Sequence, residues 1–307
     1  MRNILVIGYS QTGQLKQITD AIIAPLKNSE NVTVDYHQVT PKKAFSFPWS
    51  FFEFFQVMPE SVYMKPIELS SQAPINKKYD LIILSYQVWF LSPSLPISSF
   101  LQTEGAKILF KNTPTITVLG CRGMWLTAQE KMKGLLANLD AKLIDNIVLT
   151  DECGAGFSFL ATPLWMFTGK KKSLSWVPKA GVSEQDINAA ERFGLAIKAK
   201  FTSATNENMD LSQSMMTGLQ AVKINEKFIF SEKIGHRSFK VWGKLLMLLG
   251  PQNTLRRKIG LCFYATFLLI LIITVVPITA LIIKLLSSIF KKKISKQKQY
   301  YAQPSGE

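Results

Sequence analysis

The run "YDLIILSY" at 79–86 is apolar at nearly every position. A strand with one wet face alternates polar and apolar residues, whereas a strand hydrophobic throughout is buried on both faces. The runs Ile4–Ile7 and "TPTITVLG" (113–120) belong with it, and "VTVDYHQV" (32–39) and "KLIDNIVLT" (142–150) complete five candidate strands. Helical patterns fit 13–28, 96–103, 124–139 and 183–201, the last opening on Ser183 with Asp186 three residues on. Strands alternating with helices build βαβ units. The spacing therefore predicts an α/β domain over 1–202, a doubly wound five-stranded parallel sheet.

Such sheets bind ligands outside the carboxyl ends of their strands, where the strand order reverses. Three loops would meet there. The first carries Ser10, Gln11, Thr12, Gly13, Gln14 and Leu15 between strand and helix. Backbone N–H groups and small hydroxyls at a helix start can hold a phosphate, although an ordinary polar turn has the same composition. The second loop, "QVWFLSPSLPISSFL" (87–101), begins Gln87, Val88, Trp89, Phe90, Leu91. The third, "GCRGMWLTAQ" (120–129), supplies Gly120, Cys121, Arg122, Gly123 and Trp125. Aromatic surface beside N–H donors suits a flat ring above a phosphate.

Composition excludes several alternatives. Three widely spaced cysteines (Cys121, Cys153, Cys262) make neither a disulfide framework nor a zinc cluster. The two histidines, His37 and His236, lie far apart, which argues against a histidine metal site. Lys and Arg number 21 against 16 acids up to residue 200, and 15 against 5 beyond it. A basic excess beside the most apolar segment suits anionic lipid and not nucleic acid. Two aromatic insertions interrupt the α/β pattern. In 44–64, seven Phe or Trp fall within positions 45–55, and 154–180 reads "GAGFSFLATPLWMFTGKKKSLSWVPKA". Each is either a satellite core or a contact surface for an apolar ligand or a membrane.

The loops together resemble the flavodoxin-like FMN proteins. "SQTGQL" stands where that family has its phosphate loop, and "VWFLSPSLPISSFL" and "GCRGMW" stand where its loops flank the isoalloxazine. Leu15 replaces a threonine common in flavodoxins, which favours the enzyme-like branch over an electron carrier. "FPWSFFEFF", "MPESV", "GCRGMWLTAQEKMK" and "AKLIDNIVLTD" are similar, over about residues 1–200, to the dialkylresorcinol condensing enzymes. These are flavodoxin-like proteins encoded beside a ketosynthase in bacterial dialkylresorcinol and flexirubin pathways. The resemblance implies an FMN-dependent oxidoreductase that aromatises a 2,5-dialkylcyclohexane-1,3-dione made by a ketosynthase partner. Neither Cys121 nor Cys153 has a histidine base nearby in sequence, so no condensing nucleophile is evident.

For this chemistry Trp89, Phe90 and Trp125 are candidates to orient the ring. Arg122 would stabilise developing negative charge, and Asp151 and Glu152 are candidate proton acceptors. A membrane-associated NAD(P)H:quinone oxidoreductase of the same fold is the alternative. Residues 203–235 read as a linker and 236–290 as a membrane-anchoring region, with a basic tail over 291–307. Residues 259–283 carry no charge, and "SFKVWGKLLMLLG" (238–250) reads as an interfacial helix before them. Basic residues flank the apolar run on both sides, so a single span and a hairpin turning at Pro277 both remain open. The amino-terminal apolar run is too short for a secretory signal. The expected location is the cell inner membrane, with the catalytic domain cytoplasmic.

Overall fold

The computed structural model describes residues 1–203, 211 and 213–306, with side chains except at 155, 203, 275–277 and 279–290. The strands are β1 (Arg2–Gly8), β2 (Val32–Gln38), β3 (Leu81–Tyr86), the short pair β4 (Val88–Trp89) and β5 (Ser92–Pro93), β6 (Pro114–Cys121) and β7 (Lys142–Thr150). Five of them form one sheet in the order β2-β1-β3-β6-β7, every neighbouring pair parallel. This is the flavodoxin strand order, with its switch point between β1 and β3.

Period-two alternation divides each strand between two cores. Ile4 and Val6 of β1 face α1 (Gln14–Lys27), α8 (Glu184–Ala189) and α9 (Glu191–Ser203), packing with Ile18, Ile22, Phe193 and Ile197. Leu5 and Ile7 face the other way, toward Phe100, Phe110, Met132 and Leu136. Those residues come from α4 (Leu95–Phe100), α5 (Glu104–Phe110) and α6 (Leu126–Asn138). The aromatic insertions contain α2 (Phe51–Gln56), α3 (Met58–Val62) and α7 (Gly154–Thr168). Ser50 caps α2 in a full capping box with Glu53.

Beyond residue 203 the chain departs from the expected linker and free tail. Of the linker, 204–210 and 212 lie outside the described residues. The rest packs along the open edge of β7, where Val148 N–H donates to Ala221 O (2.8 Å) and Met216 is fully buried. Covering this edge satisfies backbone groups that would otherwise invite pairing with another chain. The expected interfacial helix is the second half of α10 (Glu226–Leu248), which stops before Gly250 (φ +122°). After it, α11 (Leu255–Ala302) runs through Pro277 without a turn. Its first part, Leu255–Thr274, is long and apolar enough to cross a membrane. Its far end is docked on the α/β body. Ser305 is buried, donates to Asp145 Oδ1 (3.0 Å) and accepts from Asn146 N–H (2.6 Å).

The α1–α9 contact depends on one small residue. A Cβ on Gly194 would stand 1.8 Å from the Ile22 carbonyl oxygen, a backbone atom with nowhere to go. Gly194→Ala should therefore cost about 3 kcal/mol through overpacking. The urea midpoint should fall while the denaturant slope stays unchanged.

Candidate functional site

The first loop is a glycine turn that leads into α1. Gly13 (φ +80°) precedes α1, which has no side-chain cap, and a Cβ placed on Gly13 would meet nothing within 4 Å. The first N–H groups of a helix have no intrahelical partner, and loop hydroxyls take up two of them here. The loop's hydroxyls hold its shape. Ser10 Oγ accepts from Lys16 N–H (3.3 Å), and Thr12 Oγ1 accepts from Gln14 N–H (3.4 Å). Gln14 turns its amide inward, donating to Val182 O (3.2 Å) and accepting from Val182 N–H (3.1 Å). Leu15 is core on the α1 face, so its side chain packs and does not touch a ligand.

The second loop is tied to the first. Gln11 N–H donates to Gln87 Oε1 (3.3 Å), and Gln11 Nε2 donates to Ser46 O (2.6 Å) in the first aromatic insertion. Val88 and Trp89 pair with Pro93 and Ser92 across a tight turn at Phe90 and Leu91, which have φ +49° and +57°. Two left-handed residues are what such a hairpin turn demands, normally met by Asn-Gly. Trp89 is half-buried and meets Tyr9, Phe45 and Trp49 edge-on, with centroids 6.0, 4.9 and 5.5 Å away. Phe90 points elsewhere, onto Phe54 (4.9 Å) and Phe239 of α10 (5.9 Å). The two insertions also join each other. Trp49 N–H donates to Met166 O (2.8 Å), Phe47 meets Trp165, and Phe54 meets Phe167.

The third loop corrects several expectations. Trp125 is 1% exposed inside the sheet's second core, so it cannot flank a bound ring. Gly120 is packed closely, since a Cβ there would approach the Ile18 methyl to 2.8 Å. Arg122 is half-buried, its guanidinium 4.2 Å from the Phe159 ring centroid and 3.3 Å from Met124 Sδ. Burial pulls the Arg122 pKa below its usual range, and Asp151 opposes the shift. Gly123 (φ +110°) lies beneath Phe228 of α10. Burial pushes the Cys121 and Cys153 thiols up to about 12, which keeps them protonated and unreactive.

Asp151 is a structural carboxylate and not a free base. It accepts from Cys153 N–H (2.8 Å), Gly181 N–H (2.9 Å) and Thr162 Oγ1 (3.4 Å), fastening the end of β7 to α7 and to the 181 turn. Glu152 is exposed beside it.

Sequence reading missed the titratable groups where α10 meets α6 beside this loop. Glu232, 1% exposed, accepts from the N–H groups of Leu126 (3.2 Å) and Thr127 (2.9 Å) at the start of α6. Lys131 donates to Val62 O (2.8 Å) and Ser92 Oγ (2.7 Å), fixing the β4–β5 hairpin from below. Burial lowers the Lys131 pKa to about 8, and lowers that of His236 to about 4 with help from Lys131 and Lys240. One signal was available: Glu232 is the sole acid between Lys227 and Gly306.

No family model matches the chain, and no curated protein does. Among solved structures it is similar to a flavoprotein in complex with FMN from Lactobacillus acidophilus. That likeness has 14% identity and a TM-score of 0.39, and covers 48% of this chain and 93% of that one. It is also similar to oxidised flavodoxin 1 from Bacillus cereus, with 14% identity and a TM-score of 0.36, over 66% of this chain and 99% of that one. An archaeal flavodoxin gives 13% identity and a TM-score of 0.35, over 65% and 99%.

The Glu232 carboxyl is raised from 4.5 to about 7, chiefly by burial, with the α6 N–H groups opposing. A raised folded-state pKa stabilises the fold fully below the unfolded value near 4.5, and that contribution is lost as pH rises through about 7. At roughly 1.4 kcal/mol per unit, the loss amounts to about 3 kcal/mol. Glu232→Gln should flatten the fall in urea midpoint between these pH values. An unchanged pH slope in that variant would refute the assignment.

Proposed function

We propose that the chain is an FMN-dependent oxidoreductase that aromatises a 2,5-dialkylcyclohexane-1,3-dione to a dialkylresorcinol. Its substrate would be a hydrophobic alkylated dione, delivered by a ketosynthase partner. The sequence resemblance over residues 1–200 suggests the reaction. The observation that carries the reading is a cavity of about 410 Å³ in the first aromatic insertion. Phe45, Trp49, Val57, Ile67 and Leu95 form its apolar wall, with Lys42, Lys43, Glu53 and Glu68 among the polar residues that complete it. Ser46, also in its lining, accepts the hydrogen bond from Gln11. An alkyl chain fits such a wall, each buried CH₂ contributing roughly 0.8 kcal/mol. A larger cavity of about 830 Å³ includes Arg2, Asp80, Pro114 and Lys142, at the amino ends of the strands and away from these loops.

Aromatising the dione removes two electrons and two protons, and FMN bound at the switch point would supply the two-electron acceptor. The chain's own residues account for the rest. The Gly13 turn, with the Ser10 and Thr12 hydroxyls at the start of α1, would hold the phosphate. Trp89, braced by Tyr9, Phe45 and Trp49, offers the aromatic edge beside the ring position. Arg122 carries a positive charge on the third loop and would stabilise an enolate oxygen. Asp151 is committed to three hydrogen bonds, so among the proposed acceptors the exposed Glu152 is the carboxylate left to pass a proton to water. An enolised dione is itself acidic and needs no stronger base.

The purified protein should be yellow with FMN, and Thr12→Glu should lower its flavin content at least tenfold by repelling the phosphate. Equal occupancy in that variant would remove Ser10–Gln14 from the site. Mixed anaerobically with diones of increasing alkyl length, the protein should lose its flavin absorbance faster with longer chains. Bleaching by NADH with turnover of quinone, and none with any dione, would transfer the assignment to a quinone reductase.

A further inference from the structure

Both ends of α11 are fastened to the same body. At its start, Arg257 is 2% exposed, with Nη2 2.6 Å from Glu60 Oε2 and 2.8 Å from Gln56 O. Gln56 and Asn253 exchange two hydrogen bonds, of 2.9 and 2.6 Å. Tyr264 and Phe267 then stack on Trp242 of α10, at 5.4 and 5.2 Å. At the other end, Lys298 lies 3.9 Å from Glu226, the first residue of α10, and Tyr300 Oη donates to Glu130 Oε2 (2.6 Å). Ile294 and Tyr301 pack on the core cluster that contains Ile229.

These contacts hold the start and the end of α11 to one α/β body. A helix that crossed a bilayer would carry its far end about 30 Å or more from the side on which it began. Here Glu226 of α10 meets Lys298 while Trp242 of the same helix meets Tyr264, so both ends of α11 lie on the side of the body.

The exposed surface of α11 and α10 has the chemistry of a lipid contact. Phe263, Leu269, Ile270, Ile273 and Ile278 of α11 are all more than half exposed. Phe230, Ile234, Val241, Leu245 and Leu248 recur at helical spacing on the exposed face of α10. Positive charge surrounds both. From Lys233 to Gly306 the sequence has 13 Lys or Arg and no acid, and Lys240, Lys244, Arg256, Lys291, Lys292 and Lys293 are exposed. Each basic side chain near an anionic leaflet is worth about 1 kcal/mol.

We infer that α11 is seated in one leaflet of a lipid bilayer without crossing it. The α10 stripe lies in the interface, and the α/β body and the carboxyl-terminal tail are on one side. A helix meets the backbone requirement of that environment, since its hydrogen bonds are internal. This anchoring does not depend on the flavin reading. It also sets Phe51 and Phe52, the exposed end of α2, beside the start of α11, where Lys258 stands 5.8 Å over the Phe52 ring.

The test uses the full chain with Cys262→Ala, leaving Cys121 half-buried and Cys153 buried. Into it go, separately, Glu30→Cys on the exposed surface of the α/β body and Gln303→Cys on the exposed end of the tail. Sealed membrane vesicles of known sidedness are treated with a membrane-impermeant maleimide, before and after detergent. Both positions should label from the same face, with detergent raising either signal less than twofold. Gln303→Cys labelling from the face opposite Glu30→Cys would overturn the inference and establish a span. Recovery of the chain in the supernatant, away from the vesicles, would overturn it as well.

Discussion

Because a parallel sheet takes part in the core on both faces, the strands of this protein impose their coverage on everything around them. Ile4, Val6, Ile83 and Val118 require α1 and α9 on one side, and Leu5, Ile7, Ile82 and Leu84 require α4 to α6 on the other. Helices on opposite faces are reached by connections that diverge at β1 and β3. The loops leaving those strands therefore part and open a crevice above the sheet. The site thus follows from burial. Its first loop is the start of α1, and its position is set by the same Gly194–Ile22 approach that seats α9.

Around that crevice the chain accepts local cost for placement. Phe90 and Leu91 occupy a turn that suits Asn-Gly, at about 1–2 kcal/mol for each left-handed residue. Phe90 thereby reaches Phe54 and Phe239, while Trp89 is held between Tyr9, Phe45 and Trp49. One strained turn so joins both aromatic insertions and α10 to the loop after β3. A flexible glycine turn would leave Trp89 without a fixed angle relative to the loop after β1.

The strands and their order were legible because burial on both faces writes itself as unbroken apolar runs. The helices at 14–27 and 126–138 were legible from their periodicity. Trp125 misled because an aromatic residue at a loop–helix junction looks the same in sequence whether it faces the crevice or the core. Asp151 misled for a related reason: composition does not reveal that Cys153, Thr162 and Gly181 converge on one carboxylate. The docking of 213–224 on β7 and of α10 on α6 was invisible, since both are contacts between segments far apart in sequence. Glu232 shows the difficulty. Its role depends on two N–H groups more than a hundred residues away.

The attachment of α11 shows how few polar contacts can direct a large apolar element. A buried ion pair such as Arg257–Glu60 contributes little net stability, because desolvation offsets the attraction. Its contribution is directional. With the Gln56–Asn253 pair it fixes the angle at which the chain leaves the body after α10. Apolar residues alone would let a helix so uniformly hydrophobic dock in many registers, because sliding it by a turn exchanges one Leu or Ile for another. Arg257 makes a slipped register expensive, leaving a buried charge without its carboxylate. The Ser305–Asp145 and Tyr300–Glu130 contacts select the position of the far end in the same way. Polar groups therefore decide where the apolar segment begins and ends, and hydrophobicity decides what environment lies between.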